Sequence, residues 1–180
     1  MSSERLSLLF HHRWSVPVLS ELERAGGSRF VTLSRRLGIG RESLRRTLGW
    51  LIERDLVMRN PGYGHPLRPE YVLTERGAAL APACTALIRA LDALQVEQLG
   101  LNKWSMPVVA ALDAGESRFG QLRRQLPGVS PRSLTLALKA LAEAGLVERR
   151  VLDAFPPATL YRLAPRAGTV RPVLRRLAAA

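Results

Sequence analysis

Apolar residues recur at helical spacing in three stretches of the first half of the chain and in three of the second. In the first half, Trp14 to Ala25, Thr32 to Leu37 and Arg41 to Arg54 predict helices, with Leu44, Leu48 and Leu51 on one stripe of the third. In the second half, Trp104 to Ala114 predicts a helix ending at Gly115, and Phe119 to Gln125 a short one closed by Pro127-Gly128. Ser130 then offers an N-cap oxygen and Pro131 occupies N1, where its missing N–H costs nothing. Leu134, Leu138 and Leu141 follow as a core stripe until Gly145 ends the helix. After each third helix the spacing predicts two strands, Leu56–Asn60 with Glu70–Thr74 and Leu146–Leu152 with Thr159–Leu163. The segments between them, Pro61 to Pro66 and Asp153 to Ala158, carry the Pro and Gly of loops, and helices begin again near Glu75 and Pro165.

The two halves are copies of one unit. At an offset of 90 residues, Arg13-Trp14-Ser15-Val16-Pro17-Val18 falls on Lys103-Trp104-Ser105-Met106-Pro107-Val108. Ser43-Leu44 falls on Ser133-Leu134, Leu48 on Leu138, Leu51 on Leu141 and Leu56-Val57 on Leu146-Val147. Tyr71, Leu73 and Pro82 meet Tyr161, Leu163 and Pro172. One residue gained near Gly26-Gly27 and balanced by Pro127 shifts Ser28-Arg29-Phe30 onto Ser117-Arg118-Phe119. Loops tolerate such drift, so the boundaries expected are 1–90 and 91–180, with the join near 91–100. Helix, helix, helix, strand, wing, strand, helix is the order of a winged helix-turn-helix. The fold class predicted is mainly α with small β-wings, two tandem winged helix-turn-helix domains arranged as a pseudo-dimer.

Lys103-Trp104, Arg118-Phe119-Gly120-Gln121-Leu122, Leu126 to Thr135 and Gly145-Leu146-Val147 resemble the HxlR family of bacterial, MarR-like winged-helix regulators. The first copy is similar through Arg13-Trp14, Arg29-Phe30, Leu56-Val57 and Tyr71 to Gly77. The resemblance implies operator binding, usually by dimers of single-module chains, with some members sensing through a cysteine before the Lys-Trp pair. That cysteine is absent, because Phe10-His11-His12 and Gly100-Leu101-Asn102 precede the two basic-Trp pairs.

The third helix of each copy should enter the major groove. With the leucine stripes buried, a turn of about 100° per residue puts Glu42, Arg46, Gly49 and Glu53 on the far side. Arg41, Ser43, Arg45 and Trp50 flank them. The second copy exposes Arg132, Leu136 and Lys139, flanked by Ser133 and Thr135, with Ser130 at the helix entry. Arg46 and Arg132 are the candidates for reading guanine, and Leu136 for a thymine methyl. Arg59, Arg68, Arg149 and Arg150 lie on or beside the strands within reach of phosphates, and His65 stands at the first wing tip. Arg35, Arg36, Arg123 and Arg124 end the second helices. Trp14 and Trp104 are expected in the core, whereas Trp50 has Ala140 as its counterpart and needs a cover from an interface or a neighbouring module.

Charge strengthens this picture. The chain of 180 residues carries 27 Lys+Arg against 15 Asp+Glu, a net +12, and 25 of those bases are Arg. Such a field favours polyanions, and double-stranded DNA is the expected partner; Arg suits phosphates and guanine edges. Cys84 is the only cysteine, which excludes an intrachain disulfide and fits a reducing compartment. No catalytic set, metal ligand cluster or cofactor motif stands out, and neither an enzyme nor a cofactor is expected. Arg5 and His11-His12-Arg13 interrupt the early apolar residues, and Ala78 to Ala90 is too short to span a bilayer. No N-terminal signal and no membrane association are expected, which makes the expected location cytoplasmic and nucleoid-associated.

The groove-facing positions differ between copies while the core positions agree: Glu42 becomes Arg132, Arg45 becomes Thr135, Arg46 becomes Leu136 and Gly49 becomes Lys139. The expectation is a sequence-specific transcription regulator, read as a repressor, in which one chain acts as a pseudo-dimer on an asymmetric operator. Apolar pre-helices (Leu6, Leu9 and Phe10; Val96, Leu99 and Leu101) and the helices after each wing would form its seam. Recognition helices about 34 Å apart would follow from that geometry. Left open are a homodimer, DNA binding by only one copy, an unidentified small-molecule effector, a sequence-tolerant DNA-organising role and a protein-assembly scaffold.

Overall fold

The structure, a computed structural model, describes residues 2–60, 70–152 and 158–179. It divides into two compact units, His12–Arg89 and a second one that joins Met1–His11 to Ala90–Ala179.

In the first unit, helices α2 (Ser15–Ala25), α3 (Phe30–Leu37) and α4 (Arg41–Glu53) pack around Val16, Val18, Leu19, Leu22, Leu33, Leu44, Leu48 and Leu51, all buried. Gly26 and Gly38 end α2 and α3 at φ +64° and +62°, where a residue without Cβ closes the last turn without strain. Three strands complete the unit: β1 (Ser28–Arg29), β2 (Val57–Asn60) and β3 (Glu70–Leu73), in the order β1-β3-β2 and antiparallel. The two-residue β1 was not expected from the sequence. It is too short for an alternation signal, and only its pairing with Tyr71 and Glu70 makes it a strand. Helix α5 (Glu75–Ala93) follows β3.

The second unit repeats the plan. Helix α6 (Glu97–Gly100) leads into α7 (Ser105–Ala111), which tightens into a 3₁₀ turn at Leu112–Ala114. Next come β4 (Ser117–Arg118), α8 (Phe119–Gln125), α9 (Pro131–Glu143), β5 (Val147–Leu152) and β6 (Ala158–Leu163). The sheet order is β4-β6-β5, and the β5–β6 register runs from Val147↔Leu163 to Leu152↔Ala158. The helix expected from Pro165 is instead a 3₁₀ segment, Pro165–Thr169, followed by α10 (Arg171–Ala179).

This unit also contains α1 (Ser2–Leu9) from the chain's beginning, which packs on α7 and α10. Leu6, Leu9 and Phe10 are buried there. The segment expected to open the first copy thus completes the hydrophobic core of the unit that holds the second.

Candidate nucleic-acid interface

Helices α4 and α9, the third of each repeat, are both 13 residues long, and their buried leucines fall at the same three positions, with Thr47 buried as well on α4. Every residue on one therefore has a geometric counterpart on the other. Their entries differ. Ser130 caps α9, its Oγ accepting the Ser133 N–H at 3.1 Å, whereas Gly40 precedes α4 with no side chain to do so.

On α4, Arg41, Glu42, Arg45 and Arg46 are exposed and Ser43 is half-buried. The Glu42 carboxylate sits 2.7 Å from Arg45 Nη1 and 4.0 Å from Arg46 Nε. On α9, Arg132, Thr135, Leu136 and Lys139 are exposed, with Ser133 half-buried. Leu136 is 57% exposed, one of several apolar side chains left open to solvent. Lys139 Nζ lies 3.8 Å from Glu143, and Thr135 Oγ1 donates to the Pro131 carbonyl at 2.9 Å. Ser130 thus caps its helix as its position predicts, and Thr135 turns its hydroxyl back onto the helix, a role its position alone did not reveal.

Among the strand arginines, Arg59 and Arg149 are exposed, while Arg150 pairs with Glu116 at 3.0 Å. Arg36, at the end of α3, is drawn to Glu21 at 2.8 Å and Arg24 joins the same carboxylate at 2.7 Å. These bonds, Arg24's foremost, hold the Glu21 carboxyl below its ordinary range against the opposing effect of burial. Arg35, Arg123 and Arg124 are exposed. His65 and Arg68 lie outside the described residues.

The tryptophans depart from expectation. Trp14 and Trp104 are half-buried at the starts of α2 and α7, with Arg13 and Lys103 at 5.6 and 5.3 Å from their rings. The Trp50 ring is covered by its own unit: the Arg54 guanidinium lies 3.0 Å from the ring centroid and His12 meets it edge-on at 5.3 Å. Arg54 is four residues along the same helix face, a spacing visible in the sequence that composition-led reasoning passed over.

Cys84 is fully buried on α5, and burial, helped by nearby Glu23, pushes its thiol well above the usual range. It is therefore a packing residue rather than a reactive thiol. Among the described residues, no group of His, Cys, Asp and Glu could hold a metal ion, and no helix is long and apolar enough to cross a membrane.

Three helices and a three-stranded antiparallel sheet, one strand of which packs on the third helix, define each unit as a winged helix-turn-helix. The chain belongs to the HxlR-like helix-turn-helix family, whose model matches it twice, at residues 9–98 and 99–180. It is similar to an uncharacterized HTH-type transcriptional regulator of Synechocystis, 42% identical over 73 residues, 41% of this chain and 54% of that one. A second such regulator, of Methanothermobacter thermautotrophicus, is 34% identical over 82 residues, 46% of this chain and 62% of that one. The matches thus span between half and two thirds of these relatives. Among solved structures, the reduced form of the transcriptional regulator YodB from B. subtilis overlays 47% of this chain and 86% of its own. Its TM-score is 0.43 and its identity 26%.

Proposed function

We propose that this chain is a sequence-specific double-stranded-DNA-binding transcription regulator that reads an asymmetric operator with two non-identical recognition helices. The observation that carries this reading is the contrast within α4 and α9: the same three buried leucines, but different exposed residues at matched positions. At matched exposed positions one helix carries Glu42, Arg45 and Arg46 and the other Arg132, Thr135 and Leu136, so the two faces offer different donors, acceptors and apolar groups to a base edge. Arg46 and Arg132 donate to guanine edges, Leu136 packs on a thymine methyl, and Arg41, Arg59 and Arg149 hold phosphates, with Arg150 joining them by exchanging Glu116 for the backbone. His65 and Arg68, from the first wing, are assigned to backbone and minor-groove contact on sequence position. Regulation is assigned as repression, because occlusion of a promoter requires nothing beyond operator occupancy.

Selection of bound duplexes from a random library tests the reading, followed by titration of the selected site. A single unequal pair of half-sites is expected. Arg46→Ala and Arg132→Ala should each weaken the selected site by about 1–3 kcal/mol and relax a different base position. Equal half-sites in a perfect palindrome would refute the asymmetric reading. Binding that falls steeply with salt but prefers no sequence would show a DNA-organising protein instead.

A further inference from the structure

Glu42 and Arg132 occupy the same place on their helices, the second residue of α4 and of α9, two positions before the first buried leucine of each stripe. The two positions are equivalent on helices of equal length, and their side chains carry opposite charge. We infer that this one position inverts a G·C base pair between the two halves of the operator: Arg132 selects guanine, and Glu42 selects cytosine at the equivalent place.

The chemistry follows from what each group can exchange. A guanidinium only donates, and the base edge in the major groove that accepts twice is guanine's O6 and N7. An ionised carboxylate only accepts, so it needs a base amino group, and cytosine N4 is the one suited to it. Guanine O6 and N7 would face Glu42 with lone pairs against lone pairs.

Two further observations bear on these residues. Glu42 is held over the first turn of its helix by Arg45 at 2.7 Å, with Arg46 at 4.0 Å. The carboxylate is thus oriented in advance, and one of its oxygens meets a cation even after the groove expels water. Arg132, by contrast, has no ionic partner among the described residues and stands at the positive end of the α9 dipole, where a cation is disfavoured. Its exposed guanidinium is therefore available to an external acceptor. The matched trios also carry equal charge: Glu42, Arg45 and Arg46 sum to +1, as do Arg132, Thr135 and Leu136. Attraction to the backbone is therefore balanced, and the difference is left to the bases.

This inference rests on the DNA-binding reading above, and its test separates the two. Duplexes are selected from a random library with the full-length wild type, Glu42→Arg and Glu42→Gln. The wild-type site should carry cytosine in one half where the other carries guanine. Glu42→Arg should replace that cytosine by guanine, making the site symmetric at that pair. Glu42→Gln should reduce the wild-type preference there by about tenfold or more, since the amide can both donate and accept. If wild type binds no duplex DNA, the functional reading fails and this one with it. If wild type binds but Glu42→Arg selects an unchanged base, only this inference is overturned. Loss of all binding by both variants, with their thermal unfolding unchanged, overturns it too, because Glu42 then serves binding without choosing a base.

Discussion

Gly77 stands in the first turn of α5, and a Cβ there would run into the backbone carbonyl of Leu56, the residue that leads into β2. The neighbourhood is tightly tied: Thr74 Oγ1 donates to the Asp55 carbonyl at 2.6 Å and accepts the Gly77 N–H at 3.0 Å. The matched residue of the second copy is Ala167, fully buried, and its segment is a 3₁₀ turn rather than an α-helix. The methyl and the 3₁₀ helix start occur together, although both copies seal the same corner with a backbone bond, Thr74 N–H to Leu56 and Ala164 N–H to Leu146. Gly77→Ala should therefore destabilise the first unit by about 2–3 kcal/mol through overpacking against backbone, read as a lower denaturant midpoint. Unchanged stability would mean that α5 can adopt the second copy's start at no cost. Ser15 and Ser105 give the opposite prediction. Each is buried at the first position of its helix, and neither hydroxyl has a hydrogen-bond partner among the described residues. An unmet buried hydroxyl costs about 1–3 kcal/mol. Ser15→Ala and Ser105→Ala should each raise the stability by about 1 kcal/mol, read as a higher denaturant midpoint, and a fall would reveal a partner for the hydroxyl.

At the scale of elements, most of the fold was legible because each copy checked the other. A helix end that is ambiguous at Arg54 is settled by Gly145 at the end of the matched helix, and the leucine stripes fix which faces are buried. What the pattern could not show were features made by tertiary contact alone: β1 and β4, the edge-on contact of His12 with Trp50, and the pairing of Asp113. That aspartate sits in the 3₁₀ turn after α7 and takes Arg171 Nε and Arg175 Nε, each at 2.6 Å, from α10. Nothing in the spacing of residues 113, 171 and 175 announces the clamp. The bond from Arg175, then that from Arg171, holds the Asp113 carboxyl below its ordinary range, with burial acting the other way. A carboxyl whose pKa is depressed by folding adds stability above its unfolded pKa of about 3.9, and that contribution is lost as pH falls through the lower folded value. Asp113→Asn should thus destabilise the second unit by about 1 kcal/mol at neutral pH, after allowance for solvent screening of the arginines. The gap between wild type and variant should close progressively below about pH 4. A gap that stays constant down to pH 2 would show that shape, not charge, holds α10 to the turn.

For the whole molecule, charge and core are distributed differently along the chain. Charge follows the repeat: residues 1–90 hold 14 basic and 8 acidic side chains, residues 91–180 hold 13 and 7, so each half is +6. The core does not, because α1 is built from the first half and buried in the unit formed by Ala90–Ala179. Leu6 and Phe10 are 0% and 1% exposed and Leu9 is 7%. Burying such side chains stabilises by about 1.5–3 kcal/mol each, so the three together contribute about 5–9 kcal/mol before the cost of ordering the helix. That is comparable with the entire net stability of a small domain, about 5–15 kcal/mol. A fragment of residues 91–180 has its winged motif intact but leaves the α1-binding faces of α7 and α10 bare. It should melt far below the full chain or bind a hydrophobic dye without a cooperative transition. Adding residues 1–11 as a peptide should restore a sharp transition whose midpoint rises with peptide concentration, as mass action requires. The variant Leu6→Asp/Phe10→Asp of that peptide should not. Cooperative unfolding of 91–180 alone, at the full-chain temperature, would show that α1 adds nothing the second unit needs. The expected result would instead mean that the duplicated sequence is no longer two self-sufficient domains, since the opening helix of one copy has become part of the other's core.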